Sequence, residues 1–232
     1  MTTPTLTLTA ISSMATRLVL AELAQAYTER TGVQVNIESV GGVDAAKRVQ
    51  AGEAFDVVFL GAGAMAKLEA SGHLVAGSTV PLFNSETAVA VRHGTPHPDI
   101  SNETAMRAAV AAAPSVSYST GPSGVALAAM FERWGLASAL QERVITPPPG
   151  TPVGSLVARG DVALGFQQLS ELLHVEGIDI VGVLPADIAI NTIFSGGVCA
   201  TSPHADAVRA LLSDMASDSA TPAKQRQGMQ AV

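Results

Sequence analysis

At four places along this chain, small or hydroxyl-bearing residues stand where an apolar run gives way to a helical one. They are Ile11-Ser12-Ser13-Met14, Ser39-Val40-Gly41-Gly42, Ser119-Thr120-Gly121-Pro122-Ser123-Gly124 and Gly150-Thr151-Pro152-Val153. A helix start leaves backbone N–H groups unpaired at the positive end of the helix dipole, so each junction suits a carboxylate or an oxyanion. Ser12, Ser13, Gly41, Gly42, Thr120, Ser123 and Gly124 are the candidate contacts. Gln167 and Gln168 directly follow an apolar run, and an amide can both donate to and accept from a carboxylate without carrying charge. Arg17 and Lys47, each about one turn inside its helix, are the candidate cations. Lys47 and Arg48 also read as a solvated face, with Asp44 spaced to pair with Arg48. Two carboxylates are candidate bases. Glu38, at the end of the second apolar run, is the first, with a pKa raised by enclosure; it reads equally as an edge charge. Glu171 is the second, and it reads also as an ordinary helix-face residue.

Other chemistries lack their residues. The loop at Thr120–Gly124 has no following Gly-Lys-Ser/Thr, so it is not a nucleotide phosphate loop, and Gly61-Ala62-Gly63 is too short for a dinucleotide fingerprint. No Gly-x-Ser-x-Gly elbow is present. The five histidines are not at ligand spacing, and there is one cysteine, Cys199, in an apolar run, so neither a metal nor a cofactor is expected. A net charge of -7 argues against nucleic acid as a partner. No segment is apolar for long enough to insert in a membrane. The expected partner is a small anionic molecule.

These residues need elements to hold them. The chain has 232 residues, 47% of them hydrophobic and 4% aromatic, so the core must come from Ala, Val, Leu and Ile. Apolar strand-like runs alternate with helical spacing throughout, which gives an α/β class. Strands are expected at 6–11, 33–37, 55–60, 86–92, 115–119, 161–166, 178–184 and 190–200. Helices are expected after Ser12-Ser13 to about Arg30, from Gly42 to about Gln50, at 64–70, at 102–112 with Ser101 as cap, from the Gly121 loop to about Trp134, at 154–158, at 167–174 and at 203–215. Pro147–Pro152 reads as a stiff loop, and the polar tail after Asp218 is expected to dock across the two halves.

The Ser12-Ser13 helix start, Ala45–Gly52 ahead of Phe55-Asp-Val-Val-Phe, Asn84-Ser85, Pro122-Ser-Gly124 and Leu156–Gly165 together resemble the type II solute-binding proteins, in particular the molybdate-binding group. The resemblance covers nearly the whole chain. It implies a type II periplasmic-binding-protein-like fold: two α/β lobes with a hinge cleft, lobe 1 being 1–83 plus 196–232 and lobe 2 being 84–195. It also implies that Ser13 matches an oxyanion-binding serine and that Ser123 matches a position binding through its backbone N–H. Gly42 stands in place of a second binding serine, and Gln168 in place of a binding tyrosine. A roomier site suited to a small organic carboxylate follows. The run Gly165-Phe-Gln-Gln-Leu-Ser-Glu-Leu and the closing Gly228-Met229 are similar to an enzymatic offshoot of that superfamily, the aconitate isomerases.

Two functions are therefore expected in competition. One is a cofactor-independent isomerase that moves a double bond in an unsaturated carboxylic acid by an allylic proton shift, needing a base and helix N–H groups. The other is a non-catalytic solute-binding protein for a small oxyanion or carboxylate, with a transporter subunit as partner if exported. A native Met1 would place the protein in the cytoplasm, and a removed signal peptide would place it in the periplasm.

Overall fold

The computed structural model describes residues 6–148 and 150–232; the readings on Met1–Thr5 and on Pro149 within the proline loop fall outside these. In chain order the elements are β1 (Thr7–Ser13), α1 (Arg17–Thr31), β2 (Gln34–Val40), α2 (Gly42–Gln50), β3 (Val57–Gly61), α3 (Ala62–Ala70) and β4 (Val80–Arg92). There follow α4 (Glu103–Ala112), β5 (Val116–Tyr118), α5 (Pro122–Arg133), α6 (Ala137–Leu140), α7 (Val153–Arg159), β6 (Leu164–Gln168), α8 (Leu169–Leu172) and β7 (Ile178–Val183). The chain closes with β8 (Asn191–Val198), α9 (Ala205–Ala216), α10 (Thr221–Arg226) and β9 (Met229–Gln230). The α/β class holds. Contacts divide the chain into two units, residues 1–84 with 193–232 and residues 85–192. The expected lobe boundaries lay at 83/84 and 195/196. The chain crosses between the units within β4 and again at the start of β8.

In the first unit, β1 lies between β2 and β3, parallel to both, and β8 runs antiparallel to β3. Side chains alternate across these strands, so each sheet face has its own core. Leu8, Ala10, Val57 and Phe59 pack with Val19, Leu20 and Leu23 of α1 and Val208, Leu211 and Leu212 of α9. Ile11, Val58 and Leu60 pack on the other face with Ala45 and Val49 of α2 and Met65 and Leu68 of α3. Asp56 ties β1 to the start of β3: its carboxylate accepts from Thr9 N at 2.8 Å, Thr9 Oγ1 at 3.0 Å and Ser202 Oγ at 2.6 Å.

In the second unit, β4 pairs antiparallel with both β6 and β7, and β5 runs parallel to β6. Val89, Val91, Val116, Leu164 and Phe166 pack on α4 and α5. Phe131 of α5 meets Tyr118, Phe166 and Trp134 with ring centroids 5.8, 5.9 and 5.7 Å away, so a few aromatic side chains gather in one place. On the opposite face α7 lies so close to β6 that a Cβ at Gly165 would stand 2.5 Å from Val157 Cγ2 and 2.9 Å from Val153 Cγ1. Only hydrogen fits there.

Several element expectations are corrected. Ser12 and Ser13 belong to β1, where they pair with Ser39 and Val40; a short 3-10 turn at Met14–Thr16 follows, and α1 begins only at Arg17. Asn102, not Ser101, caps α4, accepting from Ala105 N at 3.0 Å. Gln167 and Gln168 extend β6 instead of opening a helix, because they complete the ladder opposite Ala88 and Thr87. Leu169–Leu172 is a single helical turn. The tail is not merely polar: α10 and β9 bury Ala223 and Met229 in the first unit's core.

Candidate functional site

The first unit brings three strand ends to one edge of its sheet. The register sets Ser13 of β1 beside Val40 of β2, and β1 also pairs with β3, which ends at Gly61. The chain then enters a 3-10 turn at Met14, α2 at Gly42 and α3 at Ala62. Ser13 stands at the cap position but makes no side-chain cap bond. Its Oγ lies 3.5 Å from Thr16 Oγ1, which bonds the Ser13 carbonyl at 3.1 Å. A Cβ at Gly42 would lie 3.6 Å from Ser13 Cβ and 3.8 Å from Leu60 Cδ2, at ordinary contact. Packing therefore does not demand glycine at 42. The missing side chain leaves room beside Ser13.

Four expectations change here. Ser12 Oγ lies 2.7 Å from Ser39 Oγ, joining β1 to β2 as a half-buried pair, so Ser12 is no helix cap. At Gly41, a Cβ would stand 3.3 Å from Asp44 Oδ2, so the Asp44 carboxylate folds over the start of α2 and is not the partner of Arg48. Arg48 is held by Glu38 at 2.6 and 2.9 Å and by Glu53. Glu38 consequently has its carboxyl lowered, mainly by the Arg48 hydrogen bond, and not raised by enclosure; it is an exposed member of a surface ion pair. Arg17 is the exposed first residue of α1, and Lys47 is exposed in the last turn of α2.

In the second unit, β5 ends at Tyr118 and a tight turn leads into α5, with Gly121 as N-cap and Pro122 in the first turn. A Cβ at Gly124 would fall 1.6 Å from the Ser119 carbonyl oxygen. The turn thus sits directly on the helix backbone. Ser119 Oγ lies 3.2 Å from Ser123 Oγ, Ser123 and Gly124 are buried, and Thr120 is exposed at the rim. At the neighbouring end of β6, Gln168 lies opposite Thr87 and donates from Nε2 to Thr192 Oγ1 at 2.9 Å. Gln168 Oε1, Thr87 Oγ1 and Ser85 Oγ are buried without a partner. Unpaired buried oxygens are costly, so this group is suited to a ligand that brings hydrogen bonds.

Gln167 points to the opposite face from Gln168, as strand alternation requires. Its Oε1 accepts from Gly154 N at 3.0 Å and its Nε2 donates to Glu171 Oε1 at 2.9 Å. The start of α7 is thereby capped from within, and the 150–153 junction is not an open anion cradle. Burial pushes the Glu171 carboxyl up to about 7, against the Gln167 hydrogen bond, which lowers it. Glu171 is the one carboxyl among the described residues for which an upward shift is resolved. A carboxyl there can take up and release a proton near neutrality.

The structure thus gathers Ser13 with Gly42 in one unit, and Ser123 with Gly124 in the other. Gln167 and Glu171 form a separate pair. Glu38 pairs with Arg48 at the surface, and Arg17 and Lys47 are exposed. Sequence reasoning missed Thr16, Thr87 and Thr192, and it named Ser39 and Ser85 only within a junction and a resemblance, without a contact of their own. The spacing Ser85-x-Thr87 was the available signal, since strand alternation puts the two hydroxyls on one face. Surface hollows of about 510 Å³ beside Arg209 and Leu212 and about 550 Å³ beside Met130 and Ile188 contain none of these residues. Among the described residues no group of His, Cys, Asp and Glu is placed to hold a metal, and no helix is long and apolar enough to cross a membrane.

Comparison with known proteins bears on the family and the fold. The family model described as bacterial extracellular solute-binding protein matches residues 8–230. A protein of Pseudomonas sp. named aconitate isomerase is 42% identical over 237 aligned positions, covering 99% of this chain and 89% of its own. Among solved structures, the periplasmic molybdate-binding protein of Azotobacter vinelandii aligns with a TM-score of 0.80 at 19% identity, covering 97% of this chain and 99% of its own. The sulfate-binding protein SubI of Mycobacterium tuberculosis H37Rv aligns with a TM-score of 0.80 at 17% identity, covering 98% and 87%. These two likenesses concern the fold. With its strand-end cradles, its α/β units and a family match over almost its full length, the chain belongs to the bacterial extracellular solute-binding proteins.

Proposed function

We propose that this protein is a cofactor-independent isomerase of a small unsaturated polycarboxylate of the aconitate kind, with Glu171 as the group that carries the proton. The observation that carries the reading is the 42% identity, over 99% of the chain, to a protein named aconitate isomerase. Glu171 supports it chemically, as a carboxyl poised at about 7. In the reaction, the Glu171 carboxylate removes a proton from the saturated carbon next to the double bond. The C–H electron pair spreads over the allylic system and its carboxylate. Glu171, whose carboxyl proton exchanges with solvent, returns a proton to the far carbon and the double bond moves, so nothing is oxidised and no second reactant is consumed. Main-chain donors at a helix start, such as that of α5 at Ser123–Gly124, suit a carboxylate of such a substrate, where a fixed dipole steadies developing charge.

The test follows absorbance and deuterium uptake with cis- and trans-aconitate. Glu171→Gln should lower turnover by about 10²–10⁴-fold, while Glu38→Gln should leave it within about threefold, because Glu38 holds only a surface arginine. Absence of turnover and of deuterium uptake in the wild type, or full activity in Glu171→Gln, refutes the reading. The family match favours a second reading, capture of a small oxyanion or carboxylate for a transporter subunit. A melting temperature raised by molybdate or sulfate but not by aconitate would select it.

A further inference from the structure

Glu171 is held by one side chain, and the chemistry of that contact assigns its two oxygens different tasks. The backbone N–H of Gly154 can only donate, so the atom of Gln167 that meets it at 3.0 Å is the amide oxygen. The other end of the amide is then the NH2 group, which also can only donate, and it meets Glu171 Oε1 at 2.9 Å. Glu171 Oε1 must therefore accept in either protonation state. Oε2 has no partner among the described residues, and Glu171 keeps part of its surface accessible although Gln167 is 3% exposed.

We propose that Gln167 is a positioning residue: its amide, oriented by the Gly154 N–H, keeps Glu171 Oε1 as a permanent acceptor and confines the exchangeable proton to Oε2. The catalytic consequence rests on the reading of Glu171 as the proton carrier. The proton placement itself does not. No charged group among the described residues contributes to the state of Glu171; burial and Gln167 are its influences. On α7 the one charged residue, Arg159, stands at the far end and pairs with Asp161. β6 carries no charge, and His174 and Glu176, which follow α8, are exposed. Gln167, first expected to touch substrate, instead orients the residue that does.

The test is a titration of the full-length protein labelled with 15N and with 13C at glutamate and glutamine side chains. In the wild type, the Gln167 side-chain amide signals should move with the same midpoint, near 7, as the Glu171 carboxyl carbon. In Gln167→Met the carboxylate loses its donor, so its proton affinity should rise roughly tenfold or more. The alkaline shift should appear equally in the pH profile of kcat, with KM little changed. Gln167 signals that do not titrate overturn the proposal, and the wild-type experiment alone can give that result should Gln167→Met fail to fold. A Glu171 midpoint unmoved in a folded Gln167→Met overturns it as well. A midpoint that moves while the rate profile stays put supports the proton placement and removes Glu171 from the reaction.

Discussion

Replacing Gly124 by alanine tests the α5 cradle with the least chemistry. The new methyl group would be placed 1.6 Å from the Ser119 carbonyl oxygen, 2.7 Å from its carbon and 3.2 Å from Tyr118 Cδ2. Two of these obstacles are backbone, so no rotamer change relieves them. The Ser119 carbonyl must retreat by about 1.4 Å, the difference between 1.6 Å and the 3.0 Å below which Cβ contacts essentially never occur. Overpacking of this kind costs about 1–3 kcal/mol. In a domain of this size that lowers Tm by about 2–12 °C. The retreat also separates Ser119 Oγ from Ser123 Oγ, now 3.2 Å apart, and splays the N–H groups offered to an anion. Gly63→Ala is the control. Gly63 is an exposed helical residue with nothing within 4 Å of its would-be Cβ, so the same change there should be neutral or stabilise by at most about 1 kcal/mol. Both variants would be melted with and without trans-aconitate, molybdate and sulfate. A Gly124→Ala protein that melts within about 1 °C of wild type and keeps the full ligand-induced shift would refute the argument.

Asp56→Asn should lose about 1–3 kcal/mol, because it weakens the bonds from Thr9 and Ser202 in a buried place. Burial raises the Asp56 pKa, but the hydrogen bonds from Ser202 and Thr9 outweigh it and leave the group below its ordinary value. Its stabilisation is therefore present above the unfolded-state pKa, near pH 4, and fades as pH falls through the lower folded-state value. Thermal melts of wild type and variant should converge in strong acid; a constant gap at all pH values would contradict this. Cys199 is buried, and desolvation, helped by Asp56, pushes its thiol up to about 12. It should resist an aromatic disulfide reagent at pH 8 in the folded protein and react fully in denaturant; fast reaction without denaturant would show the thiol to be accessible.

The alternation of apolar runs and helical spacing was enough to read the α/β class and most element centres, because those patterns are local. What the sequence could not supply was pairing. Gln167-Gln168 looked like a helix start because two glutamines after an apolar run have good helical propensity, and only the ladder with Thr87 and Ala88 makes them strand. Ser12-Ser13 looked like caps because serine is a preferred N-cap; β2 pairs with both, and only Ser13 stands at a cap position, without a side-chain cap bond. Glu38 ranked ahead of Glu171 in the sequence, since enclosure is a property of the folded chain. One met Arg48 at the surface and the other was covered. The small-residue character of Gly42 and Gly124 was legible, but not that packing merely permits the first and strictly requires the second.

Two adjacent residues of the same type carry no information about how their strand should align, yet the duties of Gln167 and Gln168 depend on that alignment. Gly165 supplies it. A slip of β6 by one position would bring Leu164 or Phe166 into the slot where α7 leaves no room even for a methyl group. The residue that guards the proton-handling pair against misassembly is thus one with no side chain, making no bond to either glutamine.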